Sequence, residues 1–112
     1  MMKRFSGAIC IDQGTRVLFD EAADGGPMWQ GSGPREVRVF QPFTAPFIDE
    51  PVVTVGLGMW DIHHLTNARI DIAAEAISPK GFEIVFRTWG DTHVARARAT
   101  WMAIGTAWDE GE

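Results

Sequence analysis

Glycine and proline punctuate this chain at intervals too short for helices of ordinary length: Gly14, Gly25-Gly26-Pro27, Gly31-Ser-Gly-Pro34, Pro42, Pro46, Pro51, Pro79-Lys-Gly81, Gly90 and Gly105. Between them lie short segments in which apolar and polar residues alternate. In Gly81-Phe-Glu-Ile-Val-Phe-Arg-Thr88, Phe82, Ile84 and Phe86 share one face while Glu83 and Arg87 take the other. Ala68-Arg-Ile-Asp-Ile-Ala-Ala-Glu75 sets Ile70 and Ile72 against Arg69, Asp71 and Glu75; Glu36–Phe40 and Val53–Met59 repeat the pattern. Side chains alternate across a strand, so period two marks β-structure, and closely spaced turn signals mark an all-β sandwich or barrel. Ser78-Pro-Lys-Gly81 carries a turn proline and a turn glycine, which predicts a hairpin of strands 68–77 and 81–88.

Residues 93–105 pose a choice, because alanine and arginine favour helices. Ala95, Ala97, Ala99, Trp101 and Ala103 fall on one side at strand spacing. Val94, Arg96, Arg98, Thr100, Met102 and Ile104 fall on the other. A helix would scatter these groups without an apolar stripe, so a strand is expected. The alanine row then requires a close neighbour, either a facing sheet or another protomer. Arginines on this strand, with Arg69, Asp71 and Glu75 on another, read as a solvated face or as a charged surface that pairs with its own kind.

With 112 residues the chain is expected to form one domain, with a core over about 5–105 and a tail over 106–112 that ends in the acidic Asp109-Glu-Gly-Glu112. A hydrophobic fraction of 46% with 22% charge is that of a globular protein. The apolar runs stay well short of the roughly 18 residues of a spanning helix, so no membrane insertion is expected. A net charge of −5 opposes a nucleic-acid partner. The single Cys10, in the apolar run Ala8-Ile-Cys-Ile11, allows no internal disulfide and reads as a buried, inert thiol. Met-Met-Lys-Arg-Phe-Ser-Gly at the start has charge but no apolar stretch of signal-peptide length. No localisation is assigned; synthesis in the cytoplasm with release by a non-standard route fits.

Catalytic and metal motifs are sparse. Asp61, His63 and His93 are the candidate ligands around Trp60-Asp-Ile-His-His64, but the usual ligand spacings are missing and no metal or cofactor is expected. There is no nucleophile elbow and no phosphate loop, and no enzyme is inferred. Five tryptophans and no tyrosine remain. Core packing is the common fate of tryptophan; Trp60 and Trp89 are the exceptions, each followed by polar loop residues. A ring at a strand end beside charged groups is suited to a sugar, whose apolar face stacks while its hydroxyls hydrogen-bond.

Asn67-Ala-Arg69, Ile77-Ser-Pro-Lys-Gly-Phe82, Thr88-Trp89 and Thr100-Trp-Met-Ala-Ile104, in this order, resemble the H-type lectin domain. Arg35–Phe40, Pro51–Val55, and Asp61 ahead of Arg69 fit the same pattern, and the resemblance covers roughly residues 5–105. It implies an all-β, six-stranded antiparallel sandwich that assembles as a homotrimer, stacked in some members into a hexamer. It implies multivalent binding of galactose- or N-acetylgalactosamine-type glycans at protomer junctions, without catalysis or an essential metal, and a role in adhesion. Carried over, the sugar-contacting arginine is Arg69 and the loop after the Thr-Trp pair is Trp89, Gly90, Asp91 and His93. The neighbour's acidic residue falls near Ser32, with Asp24 the nearest upstream acid. Gly90 stands where snail members have histidine, Ala95 where they have an aromatic, and the family's disulfide is absent. Asp91 and His93 are the nearest polar replacements. A structural trimerisation or adhesion domain of a phage-like or secreted appendage is the alternative expectation.

Overall fold

The computed structural model describes residues 1–108; the acidic segment 109–112 lies outside the described residues. Six strands and one helical turn follow in order: β1 Ile9–Asp20, α1 Pro27–Gln30, β2 Arg35–Pro42, β3 Val52–Ile62, β4 Ile70–Glu75, β5 Gly81–Thr88 and β6 Val94–Thr106. They form two antiparallel three-stranded sheets, a front sheet ordered β1-β6-β3 and a back sheet ordered β2-β5-β4. The expected β-sandwich is therefore present. The expected hairpin pairs β4 with β5, from Ile70 opposite Thr88 to Glu75 opposite Glu83. Its turn closes where the Ser78 N–H donates to the Gly81 carbonyl at 2.9 Å.

The core lies between the two central strands. Phe82, Ile84 and Phe86 of β5 and Ala97, Ala99 and Ala103 of β6 are fully buried in one cluster. Large side chains on one sheet meet small ones on the other, which lets both layers interdigitate at native density. The alanine row thus has the facing sheet as its close neighbour. Phe82 joins the layers through rings: its centroid lies 5.7 Å from Phe43 and 5.5 Å from Trp101.

Several expectations change in the tertiary structure. Gly14 is mid-strand, opposite Trp101, rather than at a turn. A Cβ there would come within 3.1 Å of the Trp101 indole nitrogen, so the missing side chain makes room for the ring. Gly14→Val is expected to overpack this contact and destabilise the domain by about 1–3 kcal/mol, read as a lower urea midpoint with an unchanged m-value. Val94, placed by alternation with the arginines, is buried beside Ala95. The cause is a register shift: Asp61 opposes Arg96 and Ile62 opposes Val94, leaving Ala95 as an extra residue. Cys10 is exposed, not buried. The apolar run containing it begins an edge strand whose Ile9 and Ile11 also face solvent.

The two sets of charges expected on one surface lie on opposite outer faces. Arg96 and Arg98 are exposed on the front sheet, and Arg96 pairs with Asp61 at 3.2 Å. Asp71 and Glu75 are on the back sheet. There Arg38 binds Glu36, Glu75 at 3.1 Å and Glu83 at 2.7 Å, and Arg87 binds Glu75 at 2.9 Å and Glu36 at 3.4 Å. Hydrogen bonding by Arg87 above all holds the Glu75 carboxyl below the usual range, while the same network raises both arginines. Val85, facing outward by alternation, is fully buried beneath this lattice.

Candidate sugar-binding site

One end of the sandwich gathers three connections: residues 21–34 between β1 and β2, 63–69 between β3 and β4, and 89–93 between β5 and β6. β4 and β5 bring the expected site residues together. With Ile70 opposite Thr88, Arg69 and Trp89 are the next residues along, just past the last paired row. Arg69 lies over Gly90, where a Cβ would meet its Nε at 3.1 Å and its Cδ at 3.2 Å. Gly90 adopts a φ of +68°, a left-handed conformation that glycine takes without a side-chain clash. Its conformation and its lack of a side chain leave the Arg69 stem where it is.

Arg69 is exposed, and among the described residues it takes part in no ion pair. Of the nearby acids, Asp71 lies opposite Arg87 in the ladder, and Asp91 is held by Asn67. The Asn67 side-chain amide donates to both Asp91 oxygens at 3.2 Å. That hydrogen bond, aided by the Arg69 charge, keeps the Asp91 carboxyl below the ordinary aspartate range. A depressed folded-state value means that its contribution is present above the unfolded pKa and fades as pH falls through the folded one. Asn67→Ala is expected to move the Asp91 titration upward, toward the ordinary range, as followed by carboxyl-carbon NMR.

Trp89 is 44% exposed. With Pro34, Arg35, Glu36, Arg87 and Thr88 it lines a shallow groove of about 330 Å³. The Gly33 N–H donates to the Gly90 carbonyl at 2.9 Å, and Arg35 Nη2 donates to the same oxygen at 3.3 Å. Ser32, exposed and one residue before this contact, therefore lies at the same end of the molecule as Gly90 of its own chain. Arg35 also donates to the Pro27 and Met28 carbonyls at 3.3 Å, tying α1 to the same end.

His93 points to a different cluster. Its ring faces Trp29 at 6.3 Å and His63 at 6.2 Å, and His63 stacks on His64 at 5.1 Å. The His63 Nδ1 accepts the Leu65 N–H at 3.1 Å. Among the described residues no group of three or more His, Cys, Asp or Glu is placed to hold a metal ion. Ala95 is buried and contributes nothing to the exposed surface. Trp60, the other exceptional tryptophan, is 55% exposed on β3. Sequence reasoning did not assign roles to Asn67 or Thr92. Asn67 stood in the Asn-Ala-Arg motif, but its partner Asp91 is 24 residues away.

A larger hollow of about 460 Å³ lies at the opposite end, lined mainly by apolar residues including Ile11, Pro46, Phe47 and Trp108, with Cys10 on its rim. Its one carboxylate, Asp12, already accepts the Thr44 N–H at 2.7 Å and the Thr44 hydroxyl at 3.0 Å.

Known proteins resemble this chain in sequence and in fold. A protein of Fuscovulum blasticum, ATP synthase subunits region ORF 7, is 55% identical over 109 residues, covering 97% of this chain and 95% of its own length. Discoidin-1 of Dictyostelium discoideum is 38% identical over 74 residues, covering 65% of this chain and 29% of its own. The solved structure of recombinant discoidin II of Dictyostelium discoideum superposes with a TM-score of 0.78 at 24% identity, over 94% of this chain and 40% of that one. The chain thus spans less than half the length of these discoidins, and the superposition is a likeness of fold. The profile of the H-type lectin domain matches residues 38–104, more than half of the chain. From strand order to sequence profile, the chain belongs to the H-type lectin domain family, whose members are non-catalytic carbohydrate-binding modules.

Proposed function

We propose that the protein is a multivalent lectin that binds galactose- or N-acetylgalactosamine-type glycans at the junctions between protomers of a trimer or hexamer. The observation that carries this reading is the exposed Arg69 side chain, which has no ion-pair partner among the described residues and lies over Gly90, the residue after the half-exposed Trp89. The ring offers a stacking face, and the guanidinium offers several donors in one plane to vicinal hydroxyls. Asn67 and Asp91 extend the polar edge. Asp91, and Ser32 from an adjacent protomer, stand in for the histidine and the acid of the snail proteins. A single shallow site of this kind binds weakly, and repetition on one oligomer supplies the avidity.

Self-association has support on the front sheet. Register aligns Ile11, Ile104 and Val52 in one row across all three strands, with Met102 in the next. Ile11, Val52 and Met102 are exposed large apolar side chains on a surface that assembly would cover. A glycan array probed with the wild-type protein, with its mass measured by light scattering, tests the reading. Hits confined to galactose-type glycans from a trimeric or hexameric species support it, and an array without hits sinks it.

The buried Ala95 favours a second reading: a structural trimerisation or adhesion domain of a phage-like or secreted appendage, with little sugar binding. An oligomer that ignores every glycan would support that alternative. Cell binding competed by free galactose would remove it.

A further inference from the structure

Thr92 and Thr88 are the two buried polar residues among those described, and both are spent on the same three-residue segment. Thr92 Oγ1 donates to the Asn67 carbonyl at 2.6 Å and accepts the Arg69 N–H at 3.0 Å. Thr88 Oγ1 donates to the Arg69 carbonyl at 2.6 Å. Residues 67–69 precede β4, whose ladder with β5 begins only at Ile70 opposite Thr88. Their backbone groups therefore lack strand partners, and the two hydroxyls that reach them belong to buried side chains. A hydroxyl can donate and accept at once, so one threonine serves two of those groups. In effect the pairing of β4 with β5 is continued past its end by side chains.

We propose that Thr92 is a positioning residue of the sugar site, and that with Thr88 it fixes the backbone from which the Asn67 and Arg69 side chains project. The inference rests on the reading of Arg69 and Asn67 as sugar-contacting groups, and adds to it what holds them in place. Both backbone polar groups of Arg69 are clamped: its N–H by Thr92, its carbonyl by Thr88. The Gly90 loop is fixed in turn by Gly33 and Arg35. Arg69 and Asp91 are thereby presented at a set separation before ligand arrives, which lowers the ordering cost of binding. Thr92→Val keeps the shape and removes the hydroxyl, leaving the Asn67 carbonyl and the Arg69 N–H without partners.

The test compares the whole chain with T92V, T92S and Ile84→Val, the last a core change remote from the site. Two readouts are used: hydrogen exchange of the Arg69 amide without sugar, and affinity for immobilised galactose. In T92V the Arg69 amide is expected to exchange roughly tenfold or more faster, with galactose affinity down by roughly tenfold. T92S should restore both to within about twofold, because it keeps the hydroxyl, and Ile84→Val should alter neither. Slow Arg69 exchange in T92V, fast exchange with unchanged affinity, or an equal loss in Ile84→Val would each overturn the proposal. If T92V does not fold, Thr88→Val frees only the Arg69 carbonyl; a several-fold affinity loss supports the proposal and wild-type affinity overturns it. If the wild type binds no galactose, the lectin reading fails, and the exchange measurement still decides whether Thr92 orders residues 67–69.

Discussion

Arg69→Ala is expected to weaken galactose binding by roughly 10- to 150-fold per site while leaving the melting temperature and oligomer mass unchanged. The range follows from the roughly 1.5–3 kcal/mol that a hydrogen bond to a charged group contributes. The clean separation of effects follows from the position. Arg69 is exposed, makes no ion pair among the described residues, and has its backbone held by Thr88 and Thr92 rather than by its own side chain. Truncation therefore removes the planar donor and little else, as expected for a surface change away from buried features. Isothermal titration with free galactose measures the single-site loss without avidity. Unchanged affinity would place the sugar elsewhere. A lower melting temperature with loss of the oligomer would mean that Arg69 is a packing residue instead.

Phe82→Ala is expected to produce the largest loss of stability, about 3–5 kcal/mol, or roughly 15–30 °C in melting temperature for a domain of this size. Phe82 is fully buried, and its ring touches Phe43 and Trp101 at once. Deleting it removes an aromatic contact between back and front sheets and leaves a cavity that its buried neighbours Phe43 and Trp101, both held in the core cluster, cannot readily fill. Against a total stability of about 5–15 kcal/mol the loss is severe. Differential scanning calorimetry or urea unfolding followed by tryptophan fluorescence measures it. A change below about 1 kcal/mol would show that the aromatic cluster repacks freely.

The strands of this protein were legible because their faces differ. Phe82, Ile84 and Phe86 alternate with Glu83 and the partly exposed Arg87, and the alanines of β6 alternate with Arg96, Arg98 and Thr100. Where a strand departs from that rule, the sequence misleads. Gly14 signals a turn but sits mid-strand, because a ring from the adjacent strand occupies its side-chain space. Cys10 lies in an apolar run yet faces solvent, because its strand is a sheet edge. The register shift at Ala95 turns Val94 inward, and no alternation pattern reports such a shift. The charges of β4 and β6 look like one surface along the chain but belong to opposite faces, since sheet membership is a long-range property.

The candidate site divides in the same way. Arg69 and Trp89 could be singled out by motif and by their strand-end positions. The Asn67–Asp91 bond, the threonine clasp and the diversion of His93 toward Trp29 depend on residues that meet only when three connections converge. The sequence alone determined the β-sandwich, the hairpin and the resemblance to H-type lectins, because these depend on local periodicity, turn chemistry and motif order. Only the tertiary structure decided which sheet each strand joins, which apolar residues are left in water, and which carboxylate and hydroxyls hold the site. Those depend on pairing register and on contacts between residues far apart in the chain, and alternation within a strand is blind to both.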